Sequence, residues 1–314
     1  MTPAGDEENG TPRCGHEPAS GLYYEVLGAR RAWPVPVVFI HGGGATGACF
    51  RATPDGRPGW ADRLAQAGYE CWVTDWPGGG RSGNRNPLDI AYADVVDGYL
   101  RLLREVVGEP VVVVCHSMGG AITWQLVAEL PELVAGVVSV AGAYPANVAP
   151  TSEVESDDGR TIVVRFADTG VRFVVDRLAM YLYEDAYIYQ QAIASSTRFP
   201  MQHVARMRAG LVGLPPTMLL QRLGVLAGLP TVDRTDGFRG KPIRLVAGTE
   251  DPAHTRAIET RTVELLRGWG ADAALVWLGD LGIVGNGHFL FFETNSDAVL
   301  AVVEDQIRVV SRGS

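Results

Sequence analysis

Lysine is nearly missing from this chain of 314 residues: Lys241 is the only one among 27 basic residues. Arginine carries the positive charge instead, a bias of GC-rich coding from which no mechanism follows. Cysteine is scarce too, and Cys14, Cys49, Cys71 and Cys115 follow no metal-ligand spacing. The histidines include no His-x-x-x-His pair, so no metal and no cofactor is expected. No apolar run reaches the ~20 residues of a bilayer-spanning helix. The first twenty residues, with Asp6, Glu7, Glu8, Gly10 and Pro12, contain neither a basic n-region nor an apolar h-region. They read as a disordered tail (1–20), and a cytoplasmic location with reduced thiols is expected. A net charge of -9 argues against a nucleic-acid or anionic-membrane partner and favours a small neutral or cationic substrate. Internal repeats and low-complexity tracts are absent as well.

What is present is a regular alternation. Strand-like runs at Leu22 to Leu27, Val35 to Ile40, Tyr69 to Trp76, Val111 to Cys115, Val134 to Val140, Ile243 to Ala247 and Ala274 to Leu278 are separated by helical stretches. Tyr92 to Val107 and Ala121 to Leu130 carry apolar residues at three-to-four spacing. Buried, β-branched strands between helices imply an α/β fold, with a mostly parallel sheet covered by helices on both faces. Residues 150–238 interrupt the pattern and read as an insertion between two core segments, 21–149 and 239–314. It opens with the acidic stretch Glu153 to Gly159, expected as a solvated loop. A hairpin follows, with Thr161 to Phe166 and Val171 to Val175 flanking Ala167-Asp168-Thr169-Gly170.

Three motifs carry chemistry. Cys115-His116-Ser117-Met118-Gly119 follows an apolar strand and leads into a helix, with small residues two before and two after the serine. A nucleophile elbow is built this way, because its strained turn brings those two positions together. Cys115 stands where Gly is usual, and as the last residue of the strand it is a poor candidate nucleophile. Upstream, His41-Gly42-Gly43-Gly44 follows another buried strand and leaves backbone N–H groups free to meet a developing negative charge. A Gly-rich turn with no ligand, or a phosphate loop of the dinucleotide type, is the alternative reading of these glycines. Near the C-terminus, Gly285-Asn286-Gly287-His288 places a histidine in a Gly-rich loop after a strand, the position of a general base. His254 and His203 are the other candidate bases.

In this order the motifs resemble the α/β-hydrolase superfamily over roughly residues 21 to 312. Asp75 to Gly83 is similar to that family's Asp-x-Pro-Gly-x-Gly-x-Ser loop, where the Asp is structural. Thr53 to Trp60 and Gly282 to His288 resemble an esterase-like branch whose third triad member is a Glu at the end of the strand after the nucleophile helix. Ala141 is the counterpart here, so that acid is missing. In the commoner layout the acid follows the next strand, which implies Asp251, with Glu250 as its competitor and capping of a helix near Ala253 as the alternative role. The resemblance further implies a cap over 150–238, with Met118 and Gly43 supplying the oxyanion hole. Gly44, His116, Tyr183 and Tyr187 are the candidate substrate contacts, although the tyrosines could equally pack the insertion onto the sheet or onto a second copy of the chain. The implied activity is a serine hydrolase that cleaves a carboxylic ester or related acyl bond of a small apolar or aromatic substrate. Lactone, thioester or carbon-carbon bond cleavage, cyclisation, acyl transfer and non-enzymatic ligand reception remain alternatives on the same groups.

Overall fold

The computed structural model describes residues 13–30, 32–83, 85–148, 152–166, 170–189 and 196–312. Eight strands form one sheet in the order β1-β2-β4-β3-β5-β6-β10-β11. They are β1 (Arg13–His16), β2 (Tyr23–Leu27), β3 (Val37–Ile40), β4 (Cys71–Asp75), β5 (Val111–Ser117), β6 (Val134–Gly142), β10 (Pro242–Ala247) and β11 (Asp272–Trp277). From β4 to β11 every pairing is parallel, and β1 and β2 join antiparallel. The apolar run of β5 is continuous because both of its faces are covered. Val111, Val113 and Cys115 point into one core with α2 (Tyr92–Arg101) and α3 (Gly119–Glu129). Val112 and Val114 point into the other with α1 (Trp60–Gln66) and α8 (Ser296–Val310). Each such side chain contributes about 1.5–3 kcal/mol over its exposed state.

The structure departs from expectation in three places. Residues 13–16 of the anticipated tail form the edge strand β1, paired from Arg13↔Val26 to His16↔Tyr23. The turn that follows is held by buried Glu17, which accepts N–H bonds from Ala19 and Ser20. Residues 1–12 of that tail lie outside the described residues. Second, the acidic stretch is a strand, β7 (Ser152–Asp157), on the edge of a separate antiparallel sheet with β8 (Thr161–Phe166) and β9 (Arg172–Asp176). Its carboxylates face arginines: Glu153 and Glu155 pair with Arg165, Glu155 with Arg172, and Asp157 with Arg177. A charge run reads as a loop only when its partners, scattered later in the chain, are ignored. Third, the helix from Tyr92 widens to π-type turns over Leu102–Val107 and ends at left-handed Gly108. The turn of the β8–β9 hairpin, 167–169, lies outside the described residues.

After β9 the insertion continues through single-turn α4 (Asp185–Tyr187), α5 (Val204–Ala209) and α6 (Pro216–Arg222). Ile162, Val164, Phe173, Val175, Met218 and Leu219 join the core on the α2–α3 side. It is also tied by polar bonds: Tyr92 N–H donates to Gln221 Oε1 at 3.0 Å, and Val212 N–H to Gly44 O at 2.9 Å. The insertion thereby lies against the C-terminal ends of β3 and β5, where ligands bind in such sheets.

Candidate active site

β5 ends in a turn so sharp that Ser117 has φ +49°; Ala141 at +42° is the other described non-glycine residue with positive φ. Such a backbone costs about 1–3 kcal/mol and persists only when its surroundings hold it. Here Ala143 N–H donates to Ser117 O at 2.7 Å, and α3 begins two residues after the serine. A Cβ on Gly119 would lie 2.7 Å from the backbone oxygens of both Ile40 and His41. Those oxygens belong to a central strand and its exit and cannot move aside. Gly119→Ala is therefore expected to destabilise the fold by roughly 1–3 kcal/mol, read as a lowered midpoint in urea or thermal unfolding. An unchanged midpoint would show that the elbow tolerates a methyl group. Cys115 is fully buried beneath the elbow, and burial pushes its thiol up to about 11, which keeps it protonated.

The glycine loop lies directly over this turn. A Cβ on Gly42 would come 2.7 Å from Ser117 Cβ, one on Gly43 2.3 Å from Met118 Sδ, and one on Gly44 2.3 Å from Tyr183 Cε2. The loop is thus pressed between the elbow and Tyr183, and Gly44 itself is left-handed at φ +69°. His41 braces it from below. Burial lowers the His41 pKa, so the ring is neutral; its Nδ1 donates to Gly42 O at 2.8 Å and its Nε2 accepts Trp76 N–H at 3.2 Å. Asp75, also buried, accepts Gly47 N–H and the Arg81 guanidinium and holds the neighbouring loop, as the motif implied.

His288 and Asp251 meet because the loops after β10 and β11 are fastened together. Glu250 N–H donates to Asn286 O and Gly285 N–H to Thr249 Oγ1, each at 2.9 Å. Glu293 organises the histidine loop, accepting from Gly287 N–H at 2.7 Å and from Ser196 and Asn286. His288 Nε2 then lies 3.0 Å from Ser117 Oγ, and His288 Nδ1 lies 2.7 Å from Asp251 Oδ2. Asp251 Oδ1 accepts Ala253 N–H at 2.9 Å, while the helix that follows, α7 (Arg256–Gly268), is capped by Thr255. Burial would raise the Asp251 pKa, but the neighbouring His288 and His254 hold it well below the usual carboxylate range. Glu250 turns elsewhere, accepting Thr197 N–H at 2.8 Å. Ala141 bulges out of the β5–β6 register, so that Ser117 pairs with Gly142, and it brings no carboxylate.

Three histidines gather at this point. His116 is buried and neutral, its pKa lowered first by burial and then by His288; its Nε2 donates to the His288 carbonyl at 3.1 Å. His254, one of the other candidate histidines, stacks on His288 at 5.4 Å and 21°. Its Nδ1 meets buried Glu259 at 2.6 Å. A histidine five residues before a glutamate across a helix start carries no recognisable pattern, so the pair was illegible in one dimension. Asp251, His254 and His288 offer ligand atoms within 4.8 Å of one another, the one such group among the described residues. Both ring nitrogens of His288 are already engaged, by Asp251 and by Ser117. His203 lines neither cavity at Ser117.

Burial alone would lower the His254 pKa, yet Asp251 and Glu259 raise it above 6.5. A raised histidine stabilises the fold fully below its unfolded pKa, and that contribution is lost as pH rises through the folded value. Glu259→Gln should consequently cost about 3 kcal/mol near pH ~6 and clearly less near pH ~9. Urea unfolding at both pH values checks this, and an equal cost at both would refute it.

Two cavities open at the serine. The larger, of about 110 Å³, is lined by Ser117, Met118, His288 and His254 from the core and by Phe166, Phe173, Tyr183, Tyr187 and Arg222 from the insertion. The smaller lies on the glycine-loop side, where Gly42, Gly43, His116, Tyr183 and Tyr187 meet. Tyr183 and Tyr187 stack at 5.0 Å and border both.

The strand order, the strained serine between a parallel strand and a helix, and the histidine loop after the last strand define the α/β-hydrolase fold. The alpha/beta hydrolase family model matches residues 37–302, and the chain belongs to that family. Among curated proteins it is similar to "Probable secreted lipase phiG" of Fungal sp. (strain ATCC 74256), 25% identical over 86% of this chain and 80% of the relative. Among solved structures it resembles a thermophilic esterase from Thermogutta terrifontis (17% identity, TM-score 0.63, covering 92% of this chain and 94% of that one). A methylesterase from Arabidopsis matches at 16% identity and TM-score 0.59, covering 88% and 100%. At such identities the structural likeness speaks for the fold. No helix among the described residues is long and apolar enough to cross a membrane.

Proposed function

We propose that the protein is a serine hydrolase that cleaves a carboxylic ester, or a closely related acyl bond, through an acyl-enzyme on Ser117. The observation that carries this reading is the continuous Ser117–His288–Asp251 hydrogen-bonded chain, with distances of 3.0 and 2.7 Å, at the floor of a partly apolar cavity. Ser117 Oγ attacks the carbonyl carbon as His288 Nε2 takes its proton. The carbonyl oxygen, now negative, is held by the N–H groups of Gly43 and Met118, and losing one such donor typically costs about 2.7–4 kcal/mol of transition-state stabilisation. His288 then protonates the departing alcohol. A water molecule repeats the sequence on the acyl-enzyme, giving the acid and restoring Ser117. Asp251 is the positioning residue: kept ionised, it fixes the His288 tautomer with Nδ1–H toward itself and stabilises the imidazolium. His116 steadies the loop of His288 from its carbonyl side.

In this reading residues 150–238 are the cap, and Tyr183 and Tyr187 form the wall between the glycine loop and the cavity, giving a substrate a flat apolar face. A panel of acyl esters and lactones, with intact-mass and peptide mapping of the acylated protein, tests the proposal. A turned-over ester with its acyl group on Ser117 is expected; turnover with the acyl group elsewhere, or none across the panel, would overturn it.

A further inference from the structure

Arg222 closes α6 and reaches into the cavity that holds Ser117 and His288. Its guanidinium packs against the rings of Tyr144 at 5.0 Å and Phe166 at 5.8 Å. The other charges lining this cavity are matched: Asp251, just behind it, is bonded to His288, and His254 is bonded to Glu259. Arg222 makes no ion pair with a carboxylate among the described residues. The groups acting on it most strongly are the hydroxyls of Tyr144, Tyr92 and Tyr187, and burial raises the pKa of Tyr92 and Tyr187, which stay neutral. The Tyr92 hydroxyl is itself buried without a hydrogen-bond partner.

A half-buried guanidinium that faces a cavity without a counter-ion is costly to maintain, because arginine does not escape by losing its proton. Rings on its flanks supply part of what water would give, and the Tyr144 hydroxyl takes a hydrogen bond, but no carboxylate among the described residues meets its in-plane N–H donors. The complement of those donors is a planar anion with two oxygens. Resting on the hydrolase reading, we infer that the substrate is an ester that also bears a free carboxylate, which docks on Arg222 while its acyl carbon meets Ser117. The aromatic and aliphatic walls then hold the carbon chain between the two ends.

The test uses matched pairs of esters. One arm has the carboxylate on the acyl side, as monomethyl esters of dicarboxylic acids of increasing length. The other has it on the leaving group, as O-acetyl hydroxy acids. Each acid is compared with its neutral carboxamide. For the wild type, kcat/KM should favour the acid over the amide on one arm, on the order of 100-fold at the best length. Arg222→Gln should collapse that ratio toward unity, and Arg222→Lys should restore part of it, since a point charge replaces the fork. A wild-type ratio near unity on both arms, or a ratio unmoved by Arg222→Gln, would overturn the inference. Labelling of Ser117 by a fluorophosphonate and turnover of neutral esters report separately on the hydrolase reading. Should Arg222→Gln fail to fold, the wild type alone decides: free dicarboxylates must compete with the substrate far better than their diamides, and equal competition would refute the site.

Discussion

Ser117→Ala should abolish both turnover and covalent labelling while leaving the fold intact. The substitution removes a hydroxyl from a half-buried position at which Cβ already exists, so the strained turn, held by Ala143 and Gly119, keeps its shape. What disappears is the atom 3.0 Å from His288 Nε2. Deleting the nucleophile of a Ser-His-Asp unit costs on the order of 10⁶ in kcat, and that scale is expected here for any ester the wild type cleaves. A fluorophosphonate should label the wild type at this serine alone and leave the variant unmodified, because no other serine among the described residues combines an adjacent imidazole with a row of backbone N–H groups. Labelling that persists in Ser117→Ala would end the serine-hydrolase reading and favour a ligand-binding protein.

Asp251→Asn should lower kcat by roughly 10⁴, since the amide favours the wrong imidazole tautomer and cannot stabilise the imidazolium. Glu250→Gln, whose side chain meets Thr197 on the far side of the loop, should act mildly. Single-turnover acylation separates this from a structural effect: a positioning role slows the acylation step with little change in KM. Unfolding curves provide the second readout. Because the Asp251 pKa is depressed in the fold, the carboxylate adds stability above its unfolded value near 3.8, and that contribution is lost as pH falls through the folded value. A variant that is destabilised at neutral pH but acylates at the wild-type rate would assign Asp251 to the loop and not to the chemistry.

The inferred anionic substrate runs against the net charge of the chain. A total of -9 favours neutral or cationic ligands at long range, but the surplus acids are mostly exposed and screened within about 10 Å. Inside the cavity the field is set by a few groups a short distance apart in low dielectric, and there Arg222 is a cation that no carboxylate among the described residues pairs. Composition averages over a surface that the substrate never touches.

The central strands, the elbow, the glycine loop and the histidine loop were legible in the sequence, since each depends on neighbours within a few residues: a two-sided apolar run, a small residue at a crowded turn, a glycine where a side chain would collide. It also narrowed the acid to two adjacent residues. Whatever depends on groups distant in the chain emerged with the fold. Which of Asp251 and Glu250 faces His288 follows from the fastening of the β10 and β11 loops through Asn286 and Thr249. That Glu153 to Asp157 forms a strand follows from arginines on its neighbours. The His254–Glu259 pair, the bracing by His116 and the placement of Arg222 in the cavity likewise arise from side chains that converge across the sheet and the insertion. Hydrogen bonds and charges act over a few ångströms in space, whereas a motif records only separation along the chain.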